Sequence, residues 1–262
     1  MSKPTFGVCL GLEHADALKS AGGVDFLEVN VQGFLRPMEE DKAFQENLEL
    51  ARNSPVPVYA ANCFLPGSLK SAGPQADPDA VLGYAATAFA RARACGIKMI
   101  VFGSGGSRHL PEGVDQEAAV SAFVNLLRRL GPLAGAEGVA LVLEPLNADD
   151  CNFIFTVKEG AAIVRQVNHP AVRLLADLYH MSRNGEPVED LADVMDILGH
   201  VHLAESAART APGVAGESFT EAFRMLRAGG YAGGISVEAN WSDPVAEALR
   251  AMAVLRAQWE QA

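Results

Sequence analysis

At 262 residues the chain is long enough to bury one large core, and its 49% hydrophobic and 20% charged content are those of an ordinary globular protein. Its 21 basic against 32 acidic residues give a net charge of −11, which repels polyanions and argues against nucleic acid as a partner, although one local Arg could still hold a small phosphorylated substrate. No apolar run approaches the ~20 residues of a membrane span. The opening MSKPTFGVCLGLEH has one lysine and too short an apolar segment for a secretory signal. Cys9, Cys63, Cys95 and Cys151 are far apart and form no CxxC pair, so they read as reduced thiols of a cytoplasmic protein.

In chain order, strands are expected at 5–10, 25–30, 56–62 and 97–102, and again at 139–144, 172–178, 200–205 and 234–239. Between them lie stretches such as DAVLGYAATAFARARACG and QEAAVSAFVNLLRRLGPLAG, with apolar residues three and four apart as in helices. Gly96, Gly138, Gly199 and Gly233 fall just before strands, where a helix must stop and the chain reverse. Eight strands, each followed by a helix and with no linker between, predict a single closed (β/α)8 barrel domain over 1–262. The competing open doubly wound sheet needs a glycine-rich phosphate turn after its first strand, and GVCLGLEH is not one. GSGGS at 103–107 comes after strand four and reads more as a loop than as a phosphate cradle. The long loops after strands two, three and four should shape a pocket at the C-terminal face of the barrel.

The second half carries the chemistry. LVLEPLN, RLLADLYH, HVHLAES and GISVEAN each bring one ligand-type residue to a strand end: Glu144, Asp177, His202 and Glu238, at intervals of 33, 25 and 36 residues. Side chains two apart on a strand share a face. That puts Val142 with Glu144, Leu175 with Asp177, His200 with His202, and Ser236 with Glu238, while the opposite faces are aliphatic. Three carboxylates and an imidazole make a hard donor set, suited to Mn²⁺ first, with Mg²⁺, Co²⁺ or Zn²⁺ as alternatives, and leave coordination positions open for substrate oxygens. Such an ion polarises a carbonyl and stabilises an enediolate, while Glu144 and Glu238 can act from opposite faces as acid and base.

The segments EPLN (144–147), DLYHM (177–181), HLAE (202–205) and VEANW (237–241) resemble the xylose-isomerase-like superfamily of sugar isomerases and epimerases, which includes ketose 3-epimerases, hydroxypyruvate isomerase and inosose dehydratases. The resemblance implies the barrel fold, Glu144, Asp177, His202 and Glu238 as metal ligands, and Glu144 and Glu238 as the pair that removes and returns a proton. It implies a substrate-binding role for His180, three residues after Asp177. The family's Glu six residues after the first ligand is here Asp150. Its Arg six residues after the histidine ligand is here Ala208, with Arg209 following it. Glu28 resembles a position at the pocket floor, and Asn62, Phe64 and Trp241 fall on rim segments suited to orienting a sugar. His109 reads as solvent-exposed, and His14 and His169 as surface residues.

The expected activity is therefore divalent-metal-dependent isomerisation or epimerisation of a keto-sugar or related polyol ketone through a metal-bound enediolate. The alternative is β-elimination on a keto-inositol or 3-keto-glycoside, which needs the same α-proton abstraction. DNA repair on this fold calls for three zinc ions and many histidines, whereas this chain has six. A metal-free binding protein is the non-enzymatic alternative. The expected partner is a small sugar or keto-sugar, and assembly as a homodimer or homotetramer is left open.

Overall fold

The computed structural model describes residues 3–262. All eight expected strands form: β1 (Thr5–Cys9), β2 (Phe26–Asn30), β3 (Val58–Asn62), β4 (Met99–Phe102), β5 (Ala140–Leu143), β6 (Val172–Asp177), β7 (Leu198–Leu203) and β8 (Gly234–Val237). They pair in sequence order, all parallel, and β1 closes on β8, so the sheet has no edge. Around it run α1 (Ala15–Ala21), α2 (Asp41–Asn53), α3 (Pro78–Ala94), α4 (Gly105–Arg108), α5 (Gln116–Ala136), α6 (Val157–Val167), α7 (Leu178–Asn184), α8 (Thr220–Ala228) and α9 (Pro244–Gln261). No helix among the described residues is long and apolar enough to cross a membrane.

The alternation seen in the strands sorts the core into two parts. Leu141, Leu143, Leu174, Ala176, Val201, Leu203, Ile235 and Val237 join the helices in one continuous cluster outside the sheet. Ala60, Met99, Val101, Val142 and Leu175 form a separate cluster within the barrel. The rest of the interior holds the Phe26 ring, tilted against His200 and Tyr59, and the buried polar groups of Glu28, His200, His202 and Ser236. A closed parallel barrel must fill its lumen with side chains. Here the filling is aliphatic on the β3–β6 side and hydrogen-bonded on the β2, β7 and β8 side.

Two local expectations change. Gly199 is not a turn before a strand but lies inside β7, where a Cβ would stand 3.0 Å from Val142 Cγ1 and 3.1 Å from Arg173 Cβ, so close packing requires the glycine. The GSGGS run is a wall rather than a loose loop: Ser104 takes a left-handed φ of 44° and starts the α4 turn, and its Oγ accepts the Leu65 amide at 2.9 Å. Gly96 and Gly138, with φ of 80° and 66°, do serve as left-handed stops before β4 and β5.

Candidate metal centre

The four ligand-type residues converge because their strands are neighbours in register. Asp177 on β6 sits beside His202 on β7, which sits beside Ser236 on β8. Glu144 and Glu238 are the first residues past β5 and β8, and their amides still donate to Phe102 O (3.3 Å) and Leu203 O (3.1 Å), so both stay in the ladder. One donor atom from each of Glu144, Asp177, His202 and Glu238 lies within 4.8 Å of the others. His202 Nδ1 is 3.4 Å from Glu144 Oε1 and 3.6 Å from Glu238 Oε2.

Three of the polar atoms at this point have no hydrogen-bond partner within the protein, while Glu238 Oε2 pairs with Arg209. Glu144 Oε1, Asp177 Oδ2 and His202 Nδ1 are all buried without a hydrogen bond, although buried polar groups are nearly always satisfied. Asp177, Glu238 and His202 each have their other side-chain atom engaged. The Asp177 Oδ1 accepts the Tyr179 amide at 2.8 Å, Asn62 Nδ2 donates to Glu238 Oε1 at 2.8 Å, and His202 Nε2 donates to Glu28 Oε1 at 2.8 Å. That last bond aims Nδ1 at the carboxylates, as carboxylate partners of metal-ligating histidines do. The electrostatics agree. Burial opposes a charge on His202, yet Glu28, Glu144 and Glu238 together hold its pKa well above the usual imidazole value. Burial pushes the Asp177 carboxyl up to about 6 and raises Glu144. Burial would also raise Glu238, but His202 and Arg209 outweigh it and hold that carboxyl low. A hard divalent cation supplies the positive charge this point demands, so the donor set fits one.

Above the four donors opens a cleft of about 330 Å³, lined by Asn62, Glu144, Asp150, His180, Arg209 and Glu238, with Gln32, Cys63 and the Gly103–Gly106 run on its walls. His180 is buried, and its Nδ1 faces the amide of Asn147 at 3.2 Å and Asn147 Nδ2 at 2.7 Å. Burial depresses its pKa, so a neutral ring presents Nε2–H toward Asp177 Oδ2 at 3.4 Å. Asn147 also donates to Asp150 Oδ2 at 2.8 Å, which ties the shorter acid to the same group. Ala208 does not reach the site, but Arg209 does: its guanidinium pairs with Glu238, stands 3.7 Å from Asp177 Oδ2, and lies 4.7 Å from the Tyr179 ring centre.

Three expectations are corrected. Phe64 is fully buried, stacked on Phe89 at 5.7 Å and edge-on to Phe102 at 5.3 Å, so it fills the core outside the barrel and forms no pocket wall. Trp241 spends its indole N–H on Cys9 O at 3.3 Å and packs against the core, away from the cleft lining. Glu28 lies beneath the donors rather than against the cleft. It accepts from His202, from His200 Nε2 (2.9 Å) and from Ser236 Oγ (2.7 Å), and burial is outweighed by the two imidazoles, which hold its carboxyl well below the usual range.

Sequence reasoning missed other residues. Arg108 is wholly buried and donates to the Glu144 carbonyl at 2.8 Å, and no pattern in its local sequence marks it. Gly103 is needed because a Cβ there would lie 2.1 Å from Glu144 Oε2. The EPLN motif contained the signal for Asn147, but only the fold shows what it holds. Cys63 reaches the cleft and is exposed there.

Fold and side chains together define a (β/α)8 barrel whose rim gathers four residues of metal-ligand type. The chain belongs to the xylose isomerase-like TIM-barrel family, whose model matches residues 15–258. It is similar to a Mus musculus protein that carries a provisional hydroxypyruvate isomerase name, 28% identical over 161 residues, 58% of this chain and 57% of that one. It is also similar to L-ribulose 3-epimerase of Methylomonas sp., 35% identical over 124 residues, 47% of this chain and 43% of that one. The chain thus spans about half the length of the curated relatives it matches. Among solved structures, 3-keto-D-glucoside 4-epimerase of E. coli in its apo form superposes with a TM-score of 0.81 at 22% identity, covering 97% of this chain and 100% of that one, a likeness of fold.

Proposed function

We propose that this protein is a divalent-metal-dependent epimerase or isomerase of a keto-sugar, with Glu144 and Glu238 as the acid–base pair. The observation that carries the reading is the convergence of four donors, three of which bring a buried atom with no hydrogen-bond partner. Membership in the family and the epimerase names of the relatives support it. A bound cation such as Mn²⁺ would polarise the substrate carbonyl and balance the charge that develops as the α-proton leaves.

The rest is done by the chain's own groups. The Glu238 carboxylate, held low by His202 and Arg209, accepts the proton α to the carbonyl, and Glu144, raised by burial, carries the proton that is returned. Asn62 holds Glu238 by Oε1, while Oε2, paired with Arg209, stands 3.6 Å from His202 Nδ1. His180 offers Nε2–H to a substrate oxygen, because Asn147 occupies its Nδ1. Arg209 and Asp150 line the cleft, and in this reading they grip hydroxyls further along the substrate.

The test has two parts. Elemental analysis of the purified protein should find about one divalent ion per chain, removed by chelation and restored by Mn²⁺. NMR of a panel of keto-sugars incubated in D₂O should then show deuterium α to the carbonyl together with an epimeric or isomeric product. Deuterium with loss of a substituent would favour the elimination reading. No exchange on any keto-sugar by the metal-loaded protein would sink the proposal.

A further inference from the structure

Between β7 and α8 the chain runs through a long segment without regular structure, and it is this segment that delivers Arg209 to the cleft. Such a stretch has no ladder to hold its amides, and buried backbone donors must find partners somewhere. They find them on one side chain. Glu205 is fully buried, and its carboxylate accepts the amides of Gly213 (2.8 Å), Gly216 (2.9 Å), Glu217 (3.1 Å) and Ala215, together with the Thr210 hydroxyl (2.9 Å). Its own amide donates to Thr210 O at 2.8 Å, so residues 205–210 close into a tight turn with Arg209 at the end. Within that turn Ala208 and Arg209 both take left-handed φ values, 57° and 53°. Two consecutive non-glycine residues adopt that conformation only where the surroundings impose it. Asn240, in the loop after β8, clasps the other side, its amide on Arg209 O at 2.8 Å and its Nδ2 on Ala208 O at 3.0 Å.

We infer that Glu205 is the positioning residue for Arg209. The segment is wound around a buried carboxylate, and the left-handed pair turns the guanidinium inward onto Glu238 and Asp177. The inference rests on the proposed metal-dependent reading for what Arg209 does there, but the positioning itself is a statement about the chain. Glu205 touches neither the donors nor the cleft, so any effect it has on the site passes through the segment it holds.

The experiment compares Glu205→Ala, Glu205→Gln, Arg209→Ala and the Glu205→Ala/Arg209→Ala double variant by Mn²⁺ titration, with no substrate present. The guanidinium faces two of the carboxylate donors, so it opposes a divalent cation, and Arg209→Ala should bind Mn²⁺ about five- to tenfold more tightly. Glu205→Ala should tighten binding by the same factor, and the double variant no further, because one residue acts through the other. Singles that add in the double variant, or a Glu205→Ala affinity equal to wild type while Arg209→Ala shifts, would overturn the inference. Glu205→Gln retains an acceptor oxygen and guards against loss of fold in the alanine variant. Its crystal structure should show the Arg209 guanidinium withdrawn from Glu238, and a guanidinium still in place with the segment intact would also refute the inference. If the wild-type protein took up no Mn²⁺, the metal-dependent reading would fail, while the Glu205→Gln structure would still decide the positioning.

Discussion

The two sides of the barrel lumen are filled by opposite chemistry. On β3 to β6, Ala60, Met99, Val101, Val142 and Leu175 pack as an aliphatic plug whose members are interchangeable in kind. On β2, β7 and β8, Glu28, His200, His202 and Ser236 form one buried network in which every contact is directional. The aliphatic side sets how firmly the barrel holds together. The polar side sets where the His202 ring points, and a buried ionic network is kept for such orientation more than for stability. The two sides should therefore answer mutation differently.

The sharpest way to break this contrast is at the donors on top of it. Glu144→Gln and Glu238→Gln should each lower turnover of the true substrate by about 10³-fold or more, since each removes an ionisable group from proton transfer and weakens the cation site. Full turnover in both variants would show that the acid–base assignment is wrong. Next in size, Met99→Ala in the plug should cost about 2–5 kcal/mol of unfolding free energy, read by urea denaturation, and leave Mn²⁺ affinity of the folded protein unchanged. Glu28→Gln should do the reverse, weakening Mn²⁺ binding by about 10- to 100-fold because His202 loses the partner that sets its tautomer. If Met99→Ala disturbed the metal as much as Glu28→Gln does, the division of the lumen would not hold.

The smallest effect comes from a buried carboxylate that lacks imidazole partners. Glu186 gives Oε1 to the Val157 amide at 2.8 Å but leaves Oε2 without a partner, and burial pushes its carboxyl up to about 7. A raised folded-state pKa means its contribution to stability is present below the ordinary glutamate range and is lost as pH rises through about 7. Glu186→Gln should therefore stabilise the protein at pH 8 relative to wild type, by about 1 kcal/mol after allowance for the group's partial exposure, and by little at pH 5. Thermal unfolding at the two pH values checks it, and a gap that fails to widen with pH would contradict the assignment.

Much of this was legible along the chain, for a local reason. A strand alternates its faces every residue, so Val142–Glu144, Leu175–Asp177 and His200–His202 declared their direction before any partner was known. The regular strand and helix lengths then forced closure. What could not be read were contacts between residues far apart in sequence. Glu28 looked like a pocket residue because its partners, His200 and His202, stand 172 and 174 residues away and become neighbours only when the barrel closes. Phe64 looked like a rim residue because it follows a strand end, yet the aromatic surface of Phe89 and Phe102 draws it into the outer core.

The sequence by itself determined the barrel, the four donors and their convergence, because period-two patterning and unit length are properties of the local chain. Only the tertiary structure decided which groups orient those donors. Glu28 under His202, Arg108 on the Glu144 carbonyl, Asn147 on His180 and Glu205 behind Arg209 are each set by how loops and strands meet in space. The physical reason is that a hydrogen bond depends on distances of a few tenths of an ångström, which packing fixes and periodicity does not.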